Sequence, residues 1–277
     1  MIPEAFDRII KHNGWADFVT PTYWDGKFAE REEKQHRVSI VTTCMDRLCN
    51  LRETLPRNIE DNRDYPDLEF VLLDYNSKDG LSNWVSENMM PHVESGLLVY
   101  CYTPYPTHYS MVHSRNVAFK LATGDVVHSV DADHYTGPGF AAYTNRLANA
   151  RPAKAVFGKG KRMLRGRLGF YRREFVEELG GYDENFVGYG HDDHDILHRA
   201  YGLGYMLMYY GGGYCKLVED HKKNDVSNFS NRWWKLTQNV NKLISCYSLS
   251  IGAFKANQHR EWGRCQVVKN FSEEVLV

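Results

Sequence analysis

Four apolar, β-rich runs alternate with segments of helical character in the first half of the chain, and this rhythm restricts the fold more than any other feature. The runs are VSIVTTC from Val38, LEFVLLDY from Leu68, GLLVYCYT from Gly96 and VVHSVDAD from Val126. Between the first two, DRLCNLRETLPRNIED sets Leu48, Leu51 and Leu55 at helical spacing ahead of Pro56, which is expected to end or kink the helix. LSNWVSENMMPHV and SRNVAFKLATGD also read as helical. Alternating β and α units imply a largely parallel sheet with right-handed crossovers. Ligands of such sheets sit at the carboxyl ends of the strands, where Asp74 and Asp131 fall.

A chain of 277 residues, 43% apolar, buries enough surface for one large α/β domain or one domain with an appendage. Its formal charge of -1 argues against a protein that binds polyanions over its whole surface. The six cysteines form no CxxC pair, which speaks against a structural zinc site or a disulfide scaffold. No apolar run approaches the roughly 20 residues that cross a bilayer, and MIPEAFDRIIKHNGW lacks the apolar core of a signal peptide. The expected location is the cytoplasm, that of the host cell if the chain is phage-encoded.

The segment HSVDADHYTGPG carries the first chemical signal. Asp131 and Asp133 lie two apart, so on a strand they face the same side; there they could share one cation or cap a turn. Magnesium takes oxygen ligands, commonly one or two carboxylates together with substrate phosphates, so the pair suits a nucleotide-diphosphate site. A second cluster, GGYDENFVGYGHDDHDILHRA, places Asp192, Asp193 and Asp195 at the start of a helix, where carboxylates satisfy free N–H groups and the dipole. A third feature is the run from Arg151 to Arg173, with nine Lys or Arg and no acidic residue. It fits a solvated basic face, contacts to a diphosphate, or a path for a polyanionic acceptor.

Taken together, these segments resemble the glycosyltransferase family 2 enzymes of GT-A fold. VSIVTTCMDRLCNLRETL is similar to their opening strand and helix, with Thr43 to Asp46 replacing the usual Pro-Thr-Tyr-Asn and Arg47 retained. LEFVLLDYNSKDG resembles V-V-D-D-G-S-x-D-G, with Tyr75 in place of the second aspartate. In HSRNVAFKLATGDVVHSVDADHYTGPGF, residues Arg115, Asn116, Gly124, Asp131, Asp133, Pro138 and Gly139 match the family text. GGYDENFVGYGHDDHD resembles its acceptor segment, which related galactosyltransferases share.

The resemblance implies a Rossmann-like, mostly parallel central sheet with a smaller acceptor-side sheet. It also implies an inverting transfer from a nucleotide-diphosphate sugar, a UDP-sugar first, to a hydroxyl. The implied donor contacts are Thr43, Arg47, Asp74, Ser77, Arg115 and Asp131. The implied metal ligands are Asp133 and His221, a mixed set that suits Mn2+ better than Mg2+ because imidazole is the softer donor. His134, His191 and His194 are rival histidines. A sugar hydroxyl is a poor nucleophile, so a carboxylate must take its proton as attack proceeds. Asp193 is the candidate base, with Asp192 and Tyr189 orienting the acceptor.

The acceptor is read as a saccharide or a nucleic acid, such as a hydroxylated base in phage-type DNA modification. The expected organisation is an N-terminal extension over 1–36, the transferase domain over 37–225 and a C-terminal helical extension over 226–277. Two other readings remain at this point. A non-catalytic nucleotide-sugar or glycan-binding module has no need of a base beside the D-x-D. A nucleotidyltransferase would need a Gly-rich phosphate loop after the first strand, and TTCMDRLCN has none.

Overall fold

The computed structural model describes residues 34–151, 154–159, 167–211, 213–218 and 226–277. Strand β1 (Val38–Cys44) leads into helix α1 (Leu48–Asn62), then β2 (Leu68–Asp74), α2 (Leu81–Asn88), the short α3 (Met90–Glu94) and β3 (Leu98–Tyr102). Helix α4 (Met111–Leu121), β4 (Val126–Ser129), the short β5 (His134–Tyr135) and α5 (Phe140–Ala150) follow. The second half holds β6 (Ala155–Lys159), β7 (Gly169–Tyr171), a π-helical segment (Glu174–Leu179), α6 (Asp192–Gly202), β8 (Met206–Tyr210) and β9 (Lys216–Leu217). Helix α7 (Trp234–Ser250) and the hairpin β10 (Gln266–Lys269) and β11 (Glu273–Leu276) close the chain.

Nine strands form one sheet in the order β11-β10-β3-β2-β1-β4-β7-β6-β8, and β5 pairs with β9 beside it. The centre β3-β2-β1-β4 is parallel. Both flanks turn antiparallel, at β4 with β7 and at β3 with β10. The continuous apolar runs have a simple cause: alternate residues of β2 enter two different cores. Leu68, Phe70 and Leu72 pack on one face and Val71 and Leu73 on the other. Residues 226–277, expected to be helical, contain one helix plus a hairpin that extends the central sheet.

Helix α1 continues through Pro56. Its leucine face packs into one core, while Asn50, Thr54, Asn58 and Asn62, four apart, form a second, polar buried face. Three of these hold the backbone around the D-x-D. Thr54 Oγ1 donates to the Ala132 carbonyl at 2.7 Å and Asn58 Nδ2 to the His134 carbonyl at 3.0 Å. Asn58 Oδ1 accepts from the Thr136 N–H at 2.7 Å, and Asn62 Oδ1 from the Ala141 N–H at 2.8 Å. The loop that carries Asp131 and Asp133 is therefore fastened to a rigid helix.

Beneath that loop, His128 packs edge-on against Phe140. Gly169, on the neighbouring strand, leaves room for its ring: a Cβ there would lie 2.5 Å from His128 Cδ2. Overpacking of a filled core costs about 1–3 kcal/mol, so Gly169→Ala should lower the urea midpoint accordingly. An unchanged midpoint would show that the His128 ring is free to move aside.

Candidate active site

The loops after β1 and β2 are laced together at the carboxyl edge of the sheet. Asp79 Oδ2 accepts from the Leu48 N–H at 2.7 Å and so caps α1, and Ser77 Oγ accepts from the Asp46 N–H at 3.1 Å. Asp74 is almost wholly enclosed, and burial pushes its carboxyl up. One oxygen accepts from the Ser77 N–H and the other from the Tyr100 hydroxyl, each at 2.8 Å. Its visible task is to hold the Ser77 turn. Thr43 Oγ1 meets the Tyr109 hydroxyl at 2.6 Å. Arg47 immediately precedes α1 and lowers the Asp133 carboxyl electrostatically, after the larger contribution of His134.

Arg115 sits at the centre of the site and is 3% exposed. Nη2 reaches Asp131 Oδ1 at 3.4 Å, while Nη1 pairs with Asp192 and, at 3.1 Å, with Asp193 Oδ1. A single guanidinium thus joins the end of β4 to the N-terminus of α6. The following residue completes the seam: Asn116 Nδ2 donates to the Tyr182 carbonyl, and Asn116 Oδ1 accepts from the Tyr182 N–H. From within α6, Arg199 pairs with Asp195 at 2.7 Å and donates to the Leu179 and Gly181 carbonyls. The acceptor segment is fixed from both sides.

The electrostatics follow from this crowding. Burial and the neighbouring Asp193 carboxylate, opposed by Arg115, push the Asp192 carboxyl up to about 7. Burial likewise raises Asp131, against the pull of Arg115. Asp133, at the open edge, is held below its ordinary value by its hydrogen bond to His134 despite partial burial.

Asp131, Asp133 and His134 bring ligand atoms within 4.8 Å of one another. Arg167 Nη1 donates to His134 Nε2, since arginine has no acceptor, so the His134 proton lies on Nδ1 and is given to Asp133 Oδ1 at 2.6 Å. His134 therefore orients Asp133, as histidine–carboxylate pairs do around metals. The residues fit a hard divalent cation. Arg115 contacts Asp131, Asp192 and Asp193, and Arg167 contacts Asp131, whereas Asp133 pairs with His134; Asp131 and Asp133 are the partly open carboxylates of the set. His221 lies outside the described residues.

Tyr189 packs against Phe229 and Trp234, and its backbone is held by Thr237. The structure thus brings Arg115, Asp131, Asp133, Asp192 and Asp193 to one place, with Thr43, Arg47, Asp74 and Ser77 along the same strand ends. His134 and Arg167 were not singled out as central by the sequence. His134 was visible as a rival histidine, and Arg167 was one cation among nine. The basic run is also more self-contained than its composition implies. Arg151 pairs with Glu174, Lys154 with Glu178 and Arg173 with Glu177, while Arg172 donates to the Lys120 carbonyl. Lys161, Arg162 and Arg165 lie outside the described residues.

Burial also keeps three histidines near or beneath the site neutral. His128 is lowered to about 4, His191 to about 4 and His198 to about 3, each chiefly by desolvation. A depressed folded value means stability that is complete above the unfolded value and lost as pH falls, because only the unfolded chain takes up the protons. Unfolding free energy should therefore decline from about pH 6.5 towards pH 4, with about 3 kcal/mol from His128 alone. Urea titrations across that window check it, and His128→Gln should flatten the slope; an identical slope would exclude His128 as a contributor.

A mixed sheet with carboxylates at the strand ends and an acidic helix N-terminus beside them is the architecture of a GT-A glycosyltransferase. Residues 39–202 match the family model described as glycosyl transferase family 2, and the chain belongs to that family. No match is found among curated protein sequences. Among solved structures, it is similar to a mannosyltransferase from Pyrobaculum calidifontis in complex with GDP-Man and Mn2+, at 23% identity and a TM-score of 0.60, covering 89% of this chain and 72% of that one. GalNAc-T7 with UDP, GalNAc and Mn2+ follows at 16% identity and 0.58, covering 78% of this chain and 48% of that one. S. aureus TarS 1-349 in complex with UDP-GlcNAc is similar at 14% identity and 0.55, covering 70% of this chain and 62% of that one. At these identities the likeness shows the fold. The chain is a glycosyltransferase.

Proposed function

We propose that the protein moves a sugar from a nucleotide-diphosphate sugar to an acceptor hydroxyl, with inversion at the anomeric carbon. The observation that carries this reading is the Arg115 bridge, which sets Asp131 of the D-x-D and the Asp192–Asp193 pair around one guanidinium. Asp131 and Asp133, with His221 as a further candidate ligand, would hold a divalent cation, which would supply Lewis-acid stabilisation of the departing diphosphate. Mn2+ is the first candidate and Mg2+ the second; two of the similar structures contain Mn2+.

Thr43, Arg47 and Ser77 line the donor side, with Asp74 acting through the Ser77 turn that it holds. Asp193 is the more exposed member of the acidic pair, its side chain 11% accessible against 4% for Asp192. It accepts the acceptor proton, steadied by Arg115. Asp192 and Tyr189 orient the incoming hydroxyl. A single general base on the acceptor side would suit a single displacement.

The donor is a UDP-sugar in the first instance, with GDP-mannose the next to try. The acceptor proposed is a saccharide or lipid-linked hydroxyl. A nucleic-acid acceptor depends on Lys161, Arg162 and Arg165, and DNA binding that falls steeply with salt would favour it. The test is incubation with a panel of UDP- and GDP-sugars, with release of free nucleotide diphosphate as the readout. Slow release from one donor that stops with chelator is the expected result. Release from none, in the presence of Mn2+ or Mg2+, counts against the reading.

A further inference from the structure

Helix α7 is amphipathic in the reverse sense. Its inward side is polar over most of its length, with Thr237, Asn241 and Ser245, four apart, each 1% exposed, and ends on the buried Leu249. Thr237 Oγ1 donates to the Tyr189 carbonyl at 3.0 Å, and Asn241 Nδ2 donates to the Val187 and Gly190 carbonyls at 3.0 and 2.8 Å. Its outward side is an apolar stripe. Trp233, Leu236, Val240, Leu243, Tyr247 and Ile251 recur at intervals of three and four and are between 37% and 74% exposed. A soluble helix normally shows its polar face to water, and a contiguous exposed stripe marks a surface that meets something apolar.

Charge identifies the partner. Residues 226–260 contain Arg232, Lys235, Lys242, Lys255 and Arg260 and no Asp or Glu. A second copy of the same helix would bring like charges together around the stripe, whereas an anionic lipid surface is complementary to it. Trp233 and Tyr247 stand towards the two ends of the stripe, and such side chains favour the headgroup level, with an apolar body and a polar tip. We infer that the outer face of α7 docks in the headgroup region of an anionic phospholipid bilayer. The inner face of the same helix holds the 187–190 backbone of the acceptor segment, so docking sets the acceptor side of the site against the bilayer.

The experiment is flotation of the full-length protein with phosphatidylcholine vesicles, with and without phosphatidylglycerol. Partitioning should be about tenfold stronger or more on the anionic vesicles and should weaken with salt. Leu243→Glu with Tyr247→Glu, at exposed positions, should reduce it by about tenfold or more at unchanged Tm. Arg232→Glu with Lys235→Glu, which leaves the stripe intact, should remove the salt-sensitive part. No partitioning by the unaltered protein overturns the inference, as does partitioning that both variants retain. A dimer that the Leu243→Glu and Tyr247→Glu pair dissolves, without vesicle binding, assigns the face to a second copy instead. Because vesicle binding is read without donor or acceptor, its outcome is separate from that of the transfer assay.

Discussion

Asp193→Asn should lower sugar transfer by about 10²–10⁴-fold, the contribution typical of a positioned general base. Asparagine keeps the shape and accepts the hydrogen bond that Arg115 Nη1 gives to Oδ1, so the site remains assembled. It cannot take a proton. Nucleotide-diphosphate binding by calorimetry should be unchanged, which separates loss of a base from loss of the cleft. Transfer within a factor of a few of the unaltered enzyme would remove Asp193 from that role and leave Asp192, whose carboxyl is already raised, as the alternative.

Arg115→Met should be the most damaging change to the fold. Methionine fills part of the volume but leaves Asp131, Asp192 and Asp193 without the cation that contacts all three. Removing one partner of a buried ion pair costs about 3–5 kcal/mol, enough to lower Tm by roughly 10 °C in a chain of this size. The deficit has a signature in pH. Stripped of the guanidinium, the carboxylates take up protons more readily, so the gap between variant and parent should narrow as pH falls from 8 to about 5. A gap that stays constant across that range would mean that packing, not charge, carries the loss.

Which parts were legible in the sequence follows from how locally each is determined. The parallel centre was readable because β1 to β4 are enclosed on both faces and show as unbroken apolar runs. The hairpin Gln266–Leu276 was not, because its strands are four residues each and bury only Val267, without a periodic pattern to mark them. Asp131, Asp133, Asp192 and Asp193 stood out through their spacing. Their junction did not, since Arg115 meets Asp192 across 77 positions of chain and nothing local announces the contact. For the same reason Arg167 was lost in the basic run, and His134 ranked behind His221. The Asn50–Thr54–Asn58–Asn62 ladder did leave a trace: polar residues four apart beside a leucine stripe mark a helix whose buried surface extends past its apolar face.

The account rests on Asp131 and Asp133 holding a divalent cation that fastens a nucleotide diphosphate beside the acidic pair. Calorimetric titration of UDP and GDP, in Mn2+ and in chelator, into the unaltered protein and Asp133→Ala tests this most directly. One of the two nucleotides should bind about tenfold or more tightly with Mn2+, and Asp133→Ala should erase the difference. Equal affinity in Mn2+ and chelator, or a Mn2+ effect that survives in Asp133→Ala, would contradict it.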